Sequence, residues 1–276
     1  MLTDNELMRY SRQVLLDSWD IDAQIRLKNS RIVIVGAGGL GCPASETLAR
    51  AGVGHIHLID DDTIEISNLQ RQTLFLPQDV GEPKAQVAAA RLTEINELVT
   101  ISYQVARVDS DNAADLLKRP ANPSVNSDTA LETAWPDLLL DCTDNFAIRE
   151  LLNRISVEHA IPLLSASAIA MTGQLALYEP AKTSGCYHCV FGDSIASSTN
   201  SDENDASPEQ NCANSGVLAS TTAIMGALQA NAALQYLGLE SNPLAQQLLL
   251  WDGQRMRQRS IGYRQDPACP ICSKAG

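Results

Sequence analysis

The junction of Arg31-Ile-Val-Ile-Val35 with Gly36-Ala-Gly-Gly-Leu-Gly41 constrains this chain more than any other feature. A short β-branched run with no alternating polar positions is a strand buried on both faces. Gly36, Gly38 and Gly41 fit the pattern G-x-G-x-x-G, which gives a tight turn, lets the backbone approach a phosphate and lets a helix pack closely on the strand. A helix is expected from about Leu40 to Ala51, ended by Gly52, and a second strand over His55–Asp60. That makes a βαβ unit, whose helix N-terminus offers N–H donors and the positive end of a dipole to an anion. Asp60 ends the second strand, 24 residues beyond Gly36, where a carboxylate can accept hydrogen bonds from ribose hydroxyls. This fingerprint fits NAD as readily as ATP, and a purely structural turn also satisfies it.

The remaining periodicities predict one α/β domain, Rossmann-like: a doubly wound, mostly parallel sheet with a C-terminal antiparallel extension. Residues 4–29 read as helical, with Leu7, Tyr10, Val14 and Leu15 at helical spacing. Further helices are expected near Lys84–Asn96, Asn112–Lys118 and Phe146–His159, with strands near Ile101–Val108, Asp137–Cys142 and Pro162–Ala166. Residues 119–136 hold three prolines with Asn, Ser and Asp, and read as a surface loop. Beyond residue 170 the pattern changes. Met171–Glu179 alternates as an antiparallel strand does. The stretch 192–212 is polar and reads as a flexible loop. Val217–Leu237 reads as a buried helix, and Leu248–Asp252 with Met256–Tyr263 as a final hairpin.

The formal net charge of −13 argues against a nucleic-acid backbone as the main partner, since phosphate binding needs a positive field. No apolar run reaches the roughly 18–20 residues that cross a bilayer. Met1–Tyr10 has no apolar h-region of a secretory signal, so a cytoplasmic location is expected. Seven cysteines without an export signal read as metal ligands, core thiols or a reactive thiol, not as a disulfide framework.

Side chains downstream of the second strand favour ATP over NAD. The polar stretch Asp60–Gln72 contains Asp62 and Asn68 and ends in Arg71-Gln72, and Gly81-Glu-Pro-Lys84 opens a helix with Lys84 at its start. A triphosphate needs cations around its oxygens at the transition state. Asp141-Cys-Thr-Asp-Asn145 lies at the carboxyl end of a strand, where open α/β sheets place their ligands, and a carboxylate there can hold Mg²⁺. Taken singly, Arg71 also reads as a surface charge, Lys84 as a solubilising helix start and Asp144 as a helix N-cap.

Cys186-x-x-Cys189 and Cys269-x-x-Cys272 are two C-x₂-C pairs separated by 79 residues. Four thiolates suit tetrahedral Zn²⁺ in a closed, structural site; a redox C-x-x-C is the alternative, with His188 a spacer. Cys212 precedes an apolar helix and is a candidate thiol nucleophile. Cys42 and Cys142 read as core thiols.

The segments Arg9-Tyr-Ser-Arg-Gln13, Gly36–Gly41, Ser67-Asn-Leu-Gln-Arg-Gln72, Gly81–Lys84, Asp141–Asn145, Cys186-Tyr-His-Cys189, the region around Cys212 and Cys269-Pro-Ile-Cys272 together carry a resemblance. In register over nearly the whole chain, they resemble the bacterial MoeB/ThiF/HesA adenylyltransferases, relatives of the ubiquitin-activating enzymes. The resemblance implies adenylylation of the C-terminal carboxylate of a ubiquitin-like sulfur carrier ending in Gly-Gly, with ATP, Mg²⁺ and a structural Zn²⁺. It implies that Gly39 and its neighbours line the ATP site and that Asp60 holds the ribose. Asn68, Arg71 and Lys84 would contact the phosphates, with Asp62 and Gln72 in the same site, and Asp144 would hold Mg²⁺. It places Arg12 in the site of the other subunit of a homodimer, and in some relatives a cysteine at the position of Cys212 links covalently to the carrier.

On this reading the chain is a single domain over 1–276: an N-terminal helical segment (1–30), a nucleotide-binding core (31–168), and a carrier-binding and zinc region (169–276) with the flexible loop 192–212. The sequence ends four residues after Cys272, so no fused sulfurtransferase is expected and the sulfur donor is expected to be a separate protein. The polar stretch at 192–212 departs from the family where its loop crosses the carrier's tail. The rival readings are an NAD-dependent oxidoreductase, an enzyme adenylylating a small molecule or a tRNA base, and a catalytically silent scaffold.

Overall fold

A computed structural model describes residues 1–118, 135–182, 184–192 and 216–273. The predicted loop at 119–136 falls almost wholly outside the described residues, as does the polar stretch at 192–212. The chain forms β1 (Arg31–Val35), β2 (His55–Ile59), β3 (Thr100–Gln104), β4 (Leu138–Asp141), β5 (Leu163–Ile169), β6 (Thr172–Tyr178), β7 (Gln247–Asp252) and β8 (Arg257–Gly262). The helices are α1 (Asp4–Val14), α2 (Ile21–Asn29), α3 (Gly41–Ala51), α4 (Lys84–Ile95), α5 (Ala113–Lys118), α6 (Phe146–Glu158) and α7 (Ala219–Leu239).

The eight strands form one sheet in the order β3-β2-β1-β4-β5-β6-β7-β8. The first five are parallel, and β6, β7 and β8 each pair antiparallel with the preceding strand. The β-branched character of β1 follows from its place. Ile32 and Ile34 pack into a core shared with α3, α4 and α7, through Leu48, Leu92 and Met225. Val33 and Val35 pack into the core on the opposite face, with Leu116 and Leu117 of α5 and Leu152 and Ile155 of α6. A strand covered on both faces has no use for a polar alternate.

Two elements differ from expectation. The stretch 4–29 is two helices. α1 starts with a capping box between Thr3 and Glu6, and α2 is capped by the Asp20 carboxylate, which accepts from the Ala23 N–H at 2.7 Å. Between them the chain turns so that Trp19 is buried, its indole N–H donating to Gln24 at 3.0 Å. β3 stops at Gln104 because its partner β2 ends at Ile59. No helix among the described residues is long and apolar enough to cross a membrane.

His57 is a polar residue held in this core. It is 2% exposed on β2, its Nδ1 shares a hydrogen bond of 2.8 Å with Ser102 Oγ, and its Nε2 has no partner among the described residues. Burial, helped by the nearby Arg31, lowers its pKa to about 4 from an ordinary 6.5. The unfolded chain therefore binds more protons than the native chain between those values, and stability rises with pH across that window. His57 should cost the fold about 2 kcal/mol between pH 7 and pH 5. Urea unfolding of the wild type and of His57→Gln at both pH values checks this: the variant should lose that much less stability on acidification, and parallel losses would show that His57 does not titrate as described.

Candidate functional site

β1 pairs with β2 on one side and β4 on the other, so the connections leave the carboxyl ends of β1 and β4 toward opposite faces of the sheet. Open α/β sheets bind ligands in the crevice at such a switch point. A cavity of about 710 Å³ opens there. The Gly-rich turn forms its floor. Gly36 sits at φ +98°, and a Cβ on it would lie 2.8 Å from the carbonyl oxygen of Cys142, so a side chain is excluded both by conformation and by β4. Gly38 and Gly39 line the cavity. Gly41 does not: it opens α3, and a Cβ there would meet the Gly36 carbonyl oxygen at 2.0 Å. Gly41 is the packing glycine that brings the helix onto the turn.

The Asp60 carboxylate fixes this turn. Its Oδ2 accepts from the Ala37 N–H at 2.6 Å, and its Oδ1 accepts from the Asp62 N–H at 2.9 Å. Burial raises its pKa, opposed by these backbone donors and by Lys84. Lys84 enters at the start of α4, where its backbone N–H donates to the Asp62 carbonyl at 3.0 Å. Its ammonium is nearly buried and pairs with the Asp62 carboxylate at 2.6 Å. Arg71 lines the same wall and donates to the Ser67 carbonyl at 3.1 Å. Asn68 and Gln72 are buried lining residues beside it, and the Gln72 side-chain oxygen has no partner among the described residues. The sequence-predicted Asp60, Asp62, Asn68, Arg71, Gln72 and Lys84 thus share one wall. Arg12 does not join them: it is exposed on α1 and does not line the cavity.

The opposite wall is the turn after β4. Asn145, not Asp144, caps α6, its side chain accepting from the Ala147 and Ile148 N–H groups at 2.8 and 3.1 Å. Asp144 is exposed, lines the cavity, and makes no hydrogen bond or ion pair with the described residues. Sequence reading missed what holds this turn. Asp141 is fully buried and accepts from the Thr143 N–H at 3.0 Å, the Thr143 hydroxyl at 2.7 Å and the Ser165 hydroxyl at 2.5 Å. Arg149 is buried, donates to the carbonyls of Thr143 and Ala166, and lies 3.8 Å from Asp141. Gln229 of α7, also fully buried, donates to the carbonyls of Asp141 and Leu164 at 3.0 Å each. The sequence marks these only as polar residues on helix faces that periodicity assigns to the core, and does not say which carbonyls they meet.

The four knuckle cysteines meet. Sγ distances are 3.9 Å for Cys186–Cys189, 3.8 Å for Cys186–Cys269 and 3.4 Å for Cys189–Cys272. One ligand atom from each lies within 4.8 Å of all the others. Burial raises the Cys186 pKa strongly and that of Cys272 to about 11. Such thiols give up their protons readily only to a cation, and this donor set fits a tetrahedral Zn²⁺. His188 is held away by Glu150, with 2.8 Å between Nδ1 and Oε1. Cys42 and Cys142 are buried thiols, Cys42 raised by burial to about 12 and Cys142 raised further. Cys212 lies outside the described residues.

A mixed, mostly parallel sheet with a crevice at its switch point, cations on one wall, on the other a carboxylate with no partner among the described residues, and a four-thiol cluster that fits a metal ion define a Rossmann-like α/β protein. The ThiF family model matches residues 10–271, and the chain belongs to that family. It is 38% identical over 271 residues to the sulfur carrier protein ThiS adenylyltransferase of Escherichia coli (strain K12), covering 98% of this chain and 97% of that protein. It is 36% identical over 276 residues to the molybdopterin-synthase adenylyltransferase of the same organism, covering 99% of each. Among solved structures, Escherichia coli MccB with succinimide superposes with a TM-score of 0.77 at 24% identity, over 98% of this chain and 74% of that one, a likeness of fold.

Metal analysis of the purified protein should give about one zinc per chain. Cys189→Ser should lose the metal and lower the melting temperature; a stable, reduced protein without metal would rule the centre out.

Proposed function

We propose that this chain uses ATP to adenylylate the C-terminal carboxylate of a ubiquitin-like sulfur carrier ending in Gly-Gly, releasing pyrophosphate, in molybdopterin or thiamine synthesis. One observation carries the reading: the switch-point cavity, with Arg71 and Lys84 facing Asp144, lies in a chain that aligns end to end with named sulfur-carrier and molybdopterin-synthase adenylyltransferases. ATP would lie over Gly36–Gly39, with its ribose at Asp60 and its phosphates toward Asn68, Arg71 and Lys84. Asp144 is the residue for Mg²⁺, whose charge would offset that of the phosphates. The carrier tail would cross the carboxyl edge of the sheet so that its carboxylate meets the α-phosphate in line with the departing pyrophosphate. Positioning and electrostatic stabilisation then supply the catalysis. A separate protein would donate the sulfur to the acyl-adenylate.

Labelled pyrophosphate should enter ATP only when a carrier with a free C-terminus is present. Exchange that needs no carrier would remove this reading. No thiol takes part in attack on the α-phosphate, so Cys212→Ala should retain exchange within a few-fold. A hundredfold loss, roughly 2.7 kcal/mol, would place that thiol in the first step.

The site is shared in a homodimer. α1, the turn after it and the first residue of α2 expose Met8, Leu15, Leu16 and Ile21, apolar surface on the segment that carries Arg12 and suited to a second copy. Arg12 would reach the partner's phosphates. Arg12→Ala and Asp144→Asn should each be nearly inactive. Refolded together in equal amounts, they should recover about a quarter of wild-type activity, because half the dimers are mixed and each mixed dimer holds one intact site. No recovery would mean that Arg12 acts within its own chain.

A further inference from the structure

The buried face of α6 spans the distance between the cysteine cluster and the cavity. Arg149, Glu150 and Asn153 lie on it, all buried. Asn153 accepts from the Tyr187 N–H at 3.0 Å and donates to Cys186 Sγ at 3.6 Å. One turn earlier, Arg149 donates to the Ala166 carbonyl at 2.8 Å and to the carbonyl of Thr143, the residue before Asp144. Arg149 also lies within electrostatic reach of the Tyr187 phenol, and both residues line the cavity. Tyr187 follows Cys186 directly and Asn153 binds both, so contacts along α6 run from the knuckle through Asn153 to Arg149, beside Tyr187, and on to the turn that presents Asp144. Asp144 has no hydrogen bond or ion pair of its own with the described residues, so its position is set by Thr143 before it and by the Asn145 cap after it. A buried guanidinium is a costly way to hold two carbonyls unless their position matters.

We propose that Arg149 is a positioning residue: with Tyr187 it couples the seat of the cysteine knuckle to the Asp144 carboxylate and so sets the affinity of the divalent cation that accompanies ATP. The proposal rests on the reading of Asp144 as the residue for that cation.

The test is Mn²⁺ binding to the protein–ATP complex, without carrier, followed by electron paramagnetic resonance. Arg149→Lys and Tyr187→Phe should each weaken Mn²⁺ by roughly tenfold, the usual effect of losing an outer-shell partner. Zinc content should stay unchanged, and affinity for metal-free ATP should hold within about twofold, whereas general loosening of the site would weaken both ligands alike. The double variant should be no weaker than Arg149→Lys alone, because both act on one path; independent, additive effects would overturn the path. Asp144→Asn separates the two readings. If it leaves Mn²⁺ binding unchanged, the cation reading of Asp144 falls. If it weakens Mn²⁺ while Arg149→Lys binds as the wild type does, the positioning role alone falls. Should Arg149→Lys fail to fold, wild-type Mn²⁺ affinity in Tyr187→Phe overturns the proposal by itself.

Discussion

The contact on which the site depends is that of the Gly36 turn with the end of β4. β1 and β4 are hydrogen-bonded neighbours whose chains leave toward opposite faces, and the turn after β1 must pass within van der Waals range of the Cys142 carbonyl. Only a residue without a side chain, at φ +98°, passes there. The same contact sets α3, since Gly41 rests on the Gly36 carbonyl. The glycine pattern is therefore a packing solution first. Access of a phosphate to the N–H groups at the start of α3 follows from it, because the crevice opens where the two connections diverge.

Around that contact a second constraint operates. Carbonyl groups at the end of β4, in the turn after it and within β5 lie inside the protein, where unpaired polar groups are costly. Gln229 reaches across from α7 to take two of them, and Arg149 reaches from α6 to take two more. The two helices lie on opposite faces of the sheet, so the rim of the cavity is clamped from above and below. A chain with a net charge of −13 thereby keeps Arg71, Lys84 and Arg149 around one small volume. Local placement, not bulk charge, decides what the cavity can bind.

This explains which parts were legible in the sequence. β1, the glycine turn, α3 and β2 were readable because each is fixed by neighbours within about thirty residues, through periodicity and chirality. The four knuckle cysteines were readable because metal geometry imposes the C-x₂-C spacing on each pair separately. Arg71, Lys84 and Asp144 were singled out by chemistry and resemblance, and the structure brings them to one cavity. Arg149, Asn153 and Gln229 were not readable as site residues. The carbonyl partners of Gln229 lie 88 and 65 residues away, and a helix of Ala and Leu gives no sign of which carbonyls its one buried amide will meet. Arg12 was singled out through resemblance alone, and it lies exposed on α1, away from the cavity.

The antiparallel end of the sheet has its own problem. β8 is exposed along its whole length, and the segment after it meets the rest of the chain through Tyr263, which packs against Tyr178, and through a small cluster: Val157, Cys186, Cys269 and Cys272, with Cys189 and Ile271 packed against it. So little apolar burial cannot by itself hold a terminal segment against its conformational entropy. Four converging thiols would solve this with a bound metal, because metal binding is folding free energy for the segment that supplies the ligands. The same knuckle opens residues 186–192, from which Tyr187 and Phe191 pack with 4.7 Å between their ring centroids, tilted by 35°, and line one side of the cavity. A device that serves the stability of the segment after β8 therefore also shapes the wall of the switch-point cavity.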